Sequence, residues 1–205
     1  MFFVGASNLL LGMLWWTAWL VAARWQMFAM PQPSPYAGWL HAYVMQYQML
    51  PSFIFGFLLT VFPKWTGQSE IPRNRYVPVG IGLFGGQVAT LLGAMGLSYA
   101  IEIGVLLTLF GWLAGLSALA PLLWRETGTT WHARSCLAAL VMGFAGLLAW
   151  TAFVLGGSPL WMFASIKIGS FGFLLPVYFT VAHRMFPFFA ASAVPGYQAW
   201  RPMWV

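Results

Sequence analysis

Polar side chains recur at helical spacing in one apolar segment, and they are the residues best suited to chemistry. They are His41, Met45, Gln48, Ser52 and Gly56, and intervals of three or four residues place them on one helical face. A neutral imidazole there can ligate haem iron or copper, while a nearby Met or Gln tunes the metal or hydrogen-bonds the ring. A histidine that only hydrogen-bonds across a bundle explains the stripe equally well. The face is predicted to point at protein, with His41 as the principal candidate metal ligand.

The other two histidines lie outside this stripe. His183 belongs to the block His183-Arg184-Met185-Phe186-Pro187-Phe188-Phe189, which is predicted as an aromatic-rich turn at the membrane interface. We consider His183 as a second cofactor-binding residue, with an interfacial anchor as the alternative. About 20 residues of helix separate the levels of His41 and His183 by roughly 30 Å, so the two should not ligate one metal. His132 is predicted to be a loop residue.

One cation falls inside an apolar segment. Lys167 lies about seven residues into the last long apolar run, and Glu102 is the acid expected on the same side of the membrane. A lone ammonium in hydrocarbon is costly, so we predict an ion pair between Lys167 and Glu102. Contact of Lys167 with a substrate or a haem propionate is the alternative.

Several familiar catalytic patterns are absent from the sequence. The single cysteine, Cys136, excludes an internal disulfide and any Cys-based cluster built from this chain alone. The sequence has no Cys-x-x-Cys-His, no phosphate-binding glycine loop and no Ser/His/Asp set. Conventional hydrolysis and phosphoryl transfer are therefore excluded, whereas enzymatic activity of another kind stays undecided.

The composition identifies the environment of these residues. Of 205 residues, 61% are apolar and 6% are charged, against about a quarter charged in an average soluble domain. A bilayer is therefore the expected partner, and nucleic acid is not, because the net charge of +6 is explained by membrane topology. We predict an all-α polytopic bundle in one domain, 1–205, with six spans at about 2–23, 39–63, 77–98, 101–123, 135–156 and 160–183.

Basic residues predict the orientation of this bundle. Cytoplasmic loops carry the Lys/Arg excess, and seven basic residues fall on one side of a six-span arrangement, with only Arg24 on the other. These seven are Lys64, Arg73, Arg75, Arg125, Arg134, Arg184 and Arg201. Both termini are therefore predicted to be cytoplasmic.

Small residues four apart predict where helices approach one another. The pairs are Gly82 with Gly86, Gly111 with Gly115, and Ala89 with Gly93. Such pairs allow close backbone contact in a membrane bundle. They indicate packing and carry no chemistry.

Three sequence blocks resemble a known family. The main block is His41-Ala42-Tyr43 followed by Gly56-Phe57-Leu58-Leu59-Thr60-Val61-Phe62-Pro63-Lys64-Trp65-Thr66-Gly67, and Phe2-Phe3 and the His183 block occur in the same order. Together they resemble the NnrS family of bacterial inner-membrane proteins that contain haem and copper.

The resemblance implies a multi-pass protein of the bacterial inner membrane, with non-covalent haem and copper, linked to nitric oxide response and denitrification. Family members commonly carry His-Ala-His-Glu at this helix start. Tyr43 and Val44 replace the second His and the Glu, so only His41 inherits a ligand role there. Family members also have about twelve spans, so this chain is expected to be their N-terminal half, completed by a missing C-terminal half or, alternatively, by a second copy.

Two other functions remain open from the residues. A cytochrome b-like electron-transfer subunit would need paired histidines facing each other across helices. A transporter half would use Lys167, Gln87 and kinks at Pro51 and Pro176 to line a path.

Overall fold

Six helices traverse the part of the chain that the computed structural model describes, residues 1–126, 130–194 and 196. Each is long and apolar enough to cross a bilayer. The helices are α1 (Phe2–Trp25), α2 (Ala37–Trp65), α3 (Arg73–Ala94), α4 (Ala100–Trp124), α5 (Trp131–Val154) and α6 (Pro159–Ala193). The predicted all-α transmembrane bundle is confirmed, with a single helix for each of the six predicted spans.

Two helix boundaries correct the sequence prediction. His132 lies in the first turn of α5, which begins directly after Thr130, and the amide and hydroxyl of Thr130 both donate hydrogen bonds to Glu126 Oε1. His183 lies within α6, which continues to Ala193. Pro187 removes only the N–H that would bond the carbonyl of His183, and the helix tolerates that loss. Neither histidine is therefore in a loop or turn. Arg201 lies outside the described residues.

The α3–α4 pair forms the tightest contact in the bundle, and glycines make it possible. A Cβ at Gly82 would overlap the backbone of Gly111, and a Cβ at Gly86 would approach the Gly104 carbonyl oxygen to 2.9 Å. No larger side chain fits without separating the helices. The predicted packing role of Gly82, Gly86 and Gly111 is confirmed, and Gly115 contacts Phe55 of α2 instead.

Each of α2 and α6 contains one π-helical segment, at Val44–Met49 and Ile168–Leu174, and each segment ends two residues before a proline. Pro51 lacks the N–H that would normally bond the carbonyl of Tyr47. Trp112 of α4 supplies the missing donor, since its Nε1 lies 2.9 Å from that carbonyl oxygen. The proline therefore frees a backbone acceptor toward the interior, as the sequence indicated.

The two π segments are held together by side chains of α2. Tyr47 donates its hydroxyl to the Ser165 carbonyl at 2.6 Å, and Gln46 Nε2 donates to Ser170 Oγ at 2.8 Å. Glycine at positions 146 and 169 leaves room for these two side chains. π-Helical turns often occur at functional positions, and here they place the residues around Gln48 in the middle of the bundle.

Candidate functional site

The polar stripe of α2 faces protein, as predicted, and the structure shows that much of it faces α1. From one end of α2 to the other, His41 stacks on Trp16, Ser52 Oγ accepts a hydrogen bond from Asn8 at 2.9 Å, and Gly56 packs against Met1. The two helices run antiparallel, because rising numbers on α2 meet falling numbers on α1. The stripe is therefore an interhelical contact rather than a lipid-facing surface.

Gln48, which also belongs to the stripe, reaches beyond α1 to the α3–α4 pair. Its Nε2 donates to the hydroxyls of Thr90 and Thr108 at 2.9 Å each. Each threonine in turn donates to a carbonyl of its own helix, Gly86 for Thr90 and Gly104 for Thr108. We call these five residues the Gln48 clamp. The amide nitrogen is fully used in joining three helices, so its main role is structural.

A second polar group, centred on α1, extends the clamp. Asn8 is buried, and its side-chain amide donates to Ser52 Oγ. Gln87 Nε2 donates to the backbone carbonyl oxygen of Asn8 at 2.5 Å. Gly12 leaves space for the Gln87 amide. The side-chain oxygens of Asn8, Gln48 and Gln87 find no hydrogen-bond partner among the described residues. The sequence analysis missed Asn8, Thr90 and Thr108, whose signal is a lone polar side chain within an apolar run.

His41 lies in a different environment, against the Trp16 ring near the end of α2 that follows the proline-rich loop. Its imidazole is parallel to the Trp16 indole, with ring centroids 4.2 Å apart and an angle of 7°. Trp16 in turn stacks on Trp19 at 5.4 Å and 4°. We call His41, Trp16 and Trp19 the His41 stack. Stacking fixes the orientation of the imidazole.

The Nδ1 atom of His41 is buried, and no described residue hydrogen-bonds it. A buried polar nitrogen normally has a partner, so this atom is an exception that needs an explanation. Met45, one turn further along α2, is half-buried. Two polar atoms of the stripe, Nδ1 of His41 and Oε1 of Gln48, therefore have no hydrogen-bond partner among the described residues.

Residues from distant parts of the sequence meet at the end of the bundle opposite His41. The guanidinium of Arg184 lies 5.2 Å from the centroid of the Trp65 ring, and His132 meets the same ring edge-on at 4.6 Å. We call Trp65, His132 and Arg184 the Trp65 cluster. It ties together the ends of α2, α5 and α6, and it brings two of the three family-like blocks into contact.

The Trp65 cluster also locates His183 relative to His41. His183 precedes Arg184 in α6, and Trp65 follows His41 by 24 residues of continuous helix, which corresponds to about 35 Å. His41 and His183 therefore lie at different levels of the bundle, as the sequence predicted. The arrangement also gives His41 no histidine partner for a cytochrome b-like pair, because His132 lies with Trp65.

The predicted ion pair between Lys167 and Glu102 is wrong. Lys167 is exposed on α6, and its ammonium lies over the Phe171 ring at 5.8 Å from the centroid. Within the described ranges, no ion pair joins it to Glu102. The cation has a long alkyl chain and an aromatic face nearby, so it can extend along the helix surface without a carboxylate. Gln87 is buried and donates to the backbone carbonyl of Asn8 in α1, whereas Lys167 is exposed on α6.

Metal-binding side chains do not gather in groups of three among the residues that the structure describes. Over residues 1–126, 130–194 and 196, no three His, Cys, Asp or Glu residues lie close enough to hold one metal ion. A metal site built from several such ligands is therefore not present in that part of the chain. A site with one histidine ligand, such as an axial position on haem iron, requires no such group.

Comparison with known proteins gives one match. Neither a search of curated proteins nor a search of solved structures finds a match to this chain. The family model described as NnrS protein matches residues 1–205, which is the whole chain. The resemblance that begins at His41 therefore extends over all six helices, and the chain belongs to the NnrS family.

Proposed function

We propose that this chain is a haem-binding membrane protein in which His41 supplies an axial ligand to the iron. The observation that carries the proposal is the buried Nδ1 of His41, which no described residue pairs, on a ring that Trp16 holds in place. An imidazole ligand must be neutral and correctly oriented. Burial among apolar side chains favours the neutral form, and stacking provides the orientation.

The residues around His41 fit a single-ligand haem site better than a copper site. Copper sites in proteins usually combine several His, Cys or Met ligands, and the described residues bring no three His, Cys, Asp or Glu together. Gln48 donates through Nε2 to Thr90 and Thr108, so only its unpaired Oε1 is available to contact the cofactor. Met45 and His183 remain secondary candidates for contacts with the cofactor.

Haem iron held by one protein ligand leaves its other face free for a diatomic molecule such as nitric oxide. Membership of the NnrS family supports a role in nitric oxide response and denitrification. The six apolar helices support a multi-pass location, which we propose to be the bacterial inner membrane. His41 and the indoles of its stack would hold the iron near the proline-rich loop, at the end opposite the Trp65 cluster.

The test is the absorption spectrum of the purified chain after haem reconstitution in detergent. His41→Ala should lose the Soret band or shift it, whereas His132→Ala and His183→Ala should keep it. Thermal unfolding should change little in the His41 variant, because the bundle depends on glycine and apolar contacts.

A second variant tests the orientation of the His41 imidazole separately from its role as a ligand of the iron. Trp16→Leu removes the ring that holds the imidazole and should weaken haem affinity several-fold while leaving His41 available. Unchanged haem content in His41→Ala would refute the proposal, and loss of haem only in His183→Ala would move the site to the Trp65 cluster.

A further inference from the structure

A surface cavity of about 370 Å³ lies beside the His41 stack, where α1 ends and the proline-rich loop begins. Its walls include Trp19, Phe28 and Met30, and two amides, Gln26 and Gln32, also line it. Ligand-binding cavities usually have at least 300 Å³ and combine apolar walls with a few polar groups. This cavity has both the size and the composition of a site for a small organic molecule.

The cavity is uncharged. All the residues that line it are apolar or amides, and Arg24, although close in sequence, is not among them. A charged ligand would leave water for a site without a compensating charge, which costs free energy. The ligand that fits is therefore neutral.

Trp19 and Phe28 make a flat ligand favourable. Trp19 belongs to a parallel stack with Trp16, and Tyr36 meets its edge at 6.1 Å and 89°. An indole held in this way presents a fixed aromatic surface at little entropic cost. The position at the end of a membrane-spanning helix is also where a lipid-soluble molecule with a polar head group would reside.

The two glutamines that line the cavity indicate which functional groups the ligand carries. A side-chain amide both donates and accepts hydrogen bonds, so it pairs with a carbonyl through N–H and with a hydroxyl through C=O. A quinone carries carbonyl oxygens on opposite edges of a flat ring, and its reduced form carries hydroxyls at the same positions. We propose that this cavity binds the head group of a quinone or quinol, with Trp19 against the ring and Gln26 and Gln32 at its oxygen atoms.

Duroquinone, a small tetramethyl benzoquinone, is the probe for this site. Equilibrium dialysis against lipid nanodiscs containing the full chain should give saturable binding of one molecule per chain, above the uptake by empty nanodiscs. Trp19→Ala should weaken binding at least tenfold, and Gln32→Leu about threefold. The matched control is Trp25→Ala, which removes an exposed indole from the same helix end and should leave binding unchanged.

Durene, which has the same methylated ring without oxygens, separates quinone recognition from simple apolar uptake. It should compete at least tenfold more weakly than duroquinone. Equal competition by durene, or equal binding by the Trp19→Ala and wild-type chains with unchanged melting temperatures, would overturn the proposal. So would uptake no greater than that of empty nanodiscs. Binding by the haem-free His41→Ala chain is expected to persist, so this proposal and the haem proposal can fail separately.

Discussion

The Gln48 clamp and the His41 stack both begin from the same face of α2, yet their polar groups are satisfied very differently. Gln48 donates to two threonines, and each threonine passes a hydrogen bond to its own helix backbone. The Nδ1 of His41 receives no hydrogen bond from any residue in the described ranges. The amide nitrogen of Gln48 is therefore fully paired, although its Oε1 accepts no hydrogen bond in the described ranges, whereas the ring nitrogen Nδ1 of His41 is unpaired.

This difference distinguishes polar groups that hold helices together in an apolar bundle from polar groups that are available to bind a ligand. Burying a polar group without a partner costs free energy, so a paired donor such as the Gln48 amide nitrogen is consistent with a role in helix association. An unsatisfied group that stacking holds in one orientation suggests a ligand supplied from outside the chain. We therefore expect substitutions in the clamp to have the strongest effects on stability and substitution of His41 to have the strongest effect on the haem spectrum.

The largest effect is expected at the α3–α4 contact. Gly86→Leu places a side chain against the Gly104 carbonyl oxygen and Thr108, so the helices must separate. We expect destabilisation of about 3 kcal/mol or more, or failure to obtain folded protein. Thermal unfolding in detergent, followed by circular dichroism, measures the change.

The matched control lies one residue away. A Cβ at Gly85 would meet only the tip of Leu107, at 3.5 Å. Gly85→Leu should therefore unfold within a few degrees of the wild-type temperature. Equal destabilisation by both variants would mean that helix propensity, rather than close packing at Gly86, controls stability here.

An intermediate effect is expected at Gln48. Gln48→Leu removes both hydrogen bonds to the threonines, whose own bonds to glycine carbonyls survive, so the cost should be about 1 kcal/mol. The haem spectrum of this variant should match the wild type. A lost Soret band in a folded Gln48→Leu chain would contradict the division between the clamp and the stack.

The smallest effect is expected at Lys167. Lys167→Met changes an exposed side chain with no ion pair to Glu102 among the described contacts, so stability should stay within about 0.5 kcal/mol. A double-mutant cycle with Glu102→Gln checks this. A coupling energy above about 1 kcal/mol would restore the ion pair that the sequence suggested.

Periodicity alone was sufficient to place the stripe of α2 against protein, because one polar face in an apolar helix must avoid lipid. It was insufficient to identify the partners. Asn8 follows Ser7 in the largely apolar first half of α1, and nothing near it in the sequence indicates that it meets Ser52, 44 positions away. The Lys167 prediction failed for a related reason, since sharing one side of the membrane does not bring two helices together.

The predicted helix boundaries were wrong at two places where local sequence signals favoured a loop or a turn. Pro187 predicted a turn after His183, yet the loss of one N–H is tolerated and α6 continues. His132 was assigned to a loop because of its polar neighbours, whereas α5 begins directly after Thr130 and includes it. The resulting Trp65 cluster unites residues more than 50 positions apart and could not be read from any local pattern.

The sequence by itself determined that this chain is a six-helix membrane bundle of the NnrS family. Twelve charged residues in 205 cannot keep the chain in water, and the apolar runs match the thickness of a bilayer. Only the tertiary structure decided which polar residues are used for packing. Hydrogen bonds and ring stacking act over a few ångströms, so the different roles of Gln48 and His41, seven residues apart, depend on which helices lie beside each.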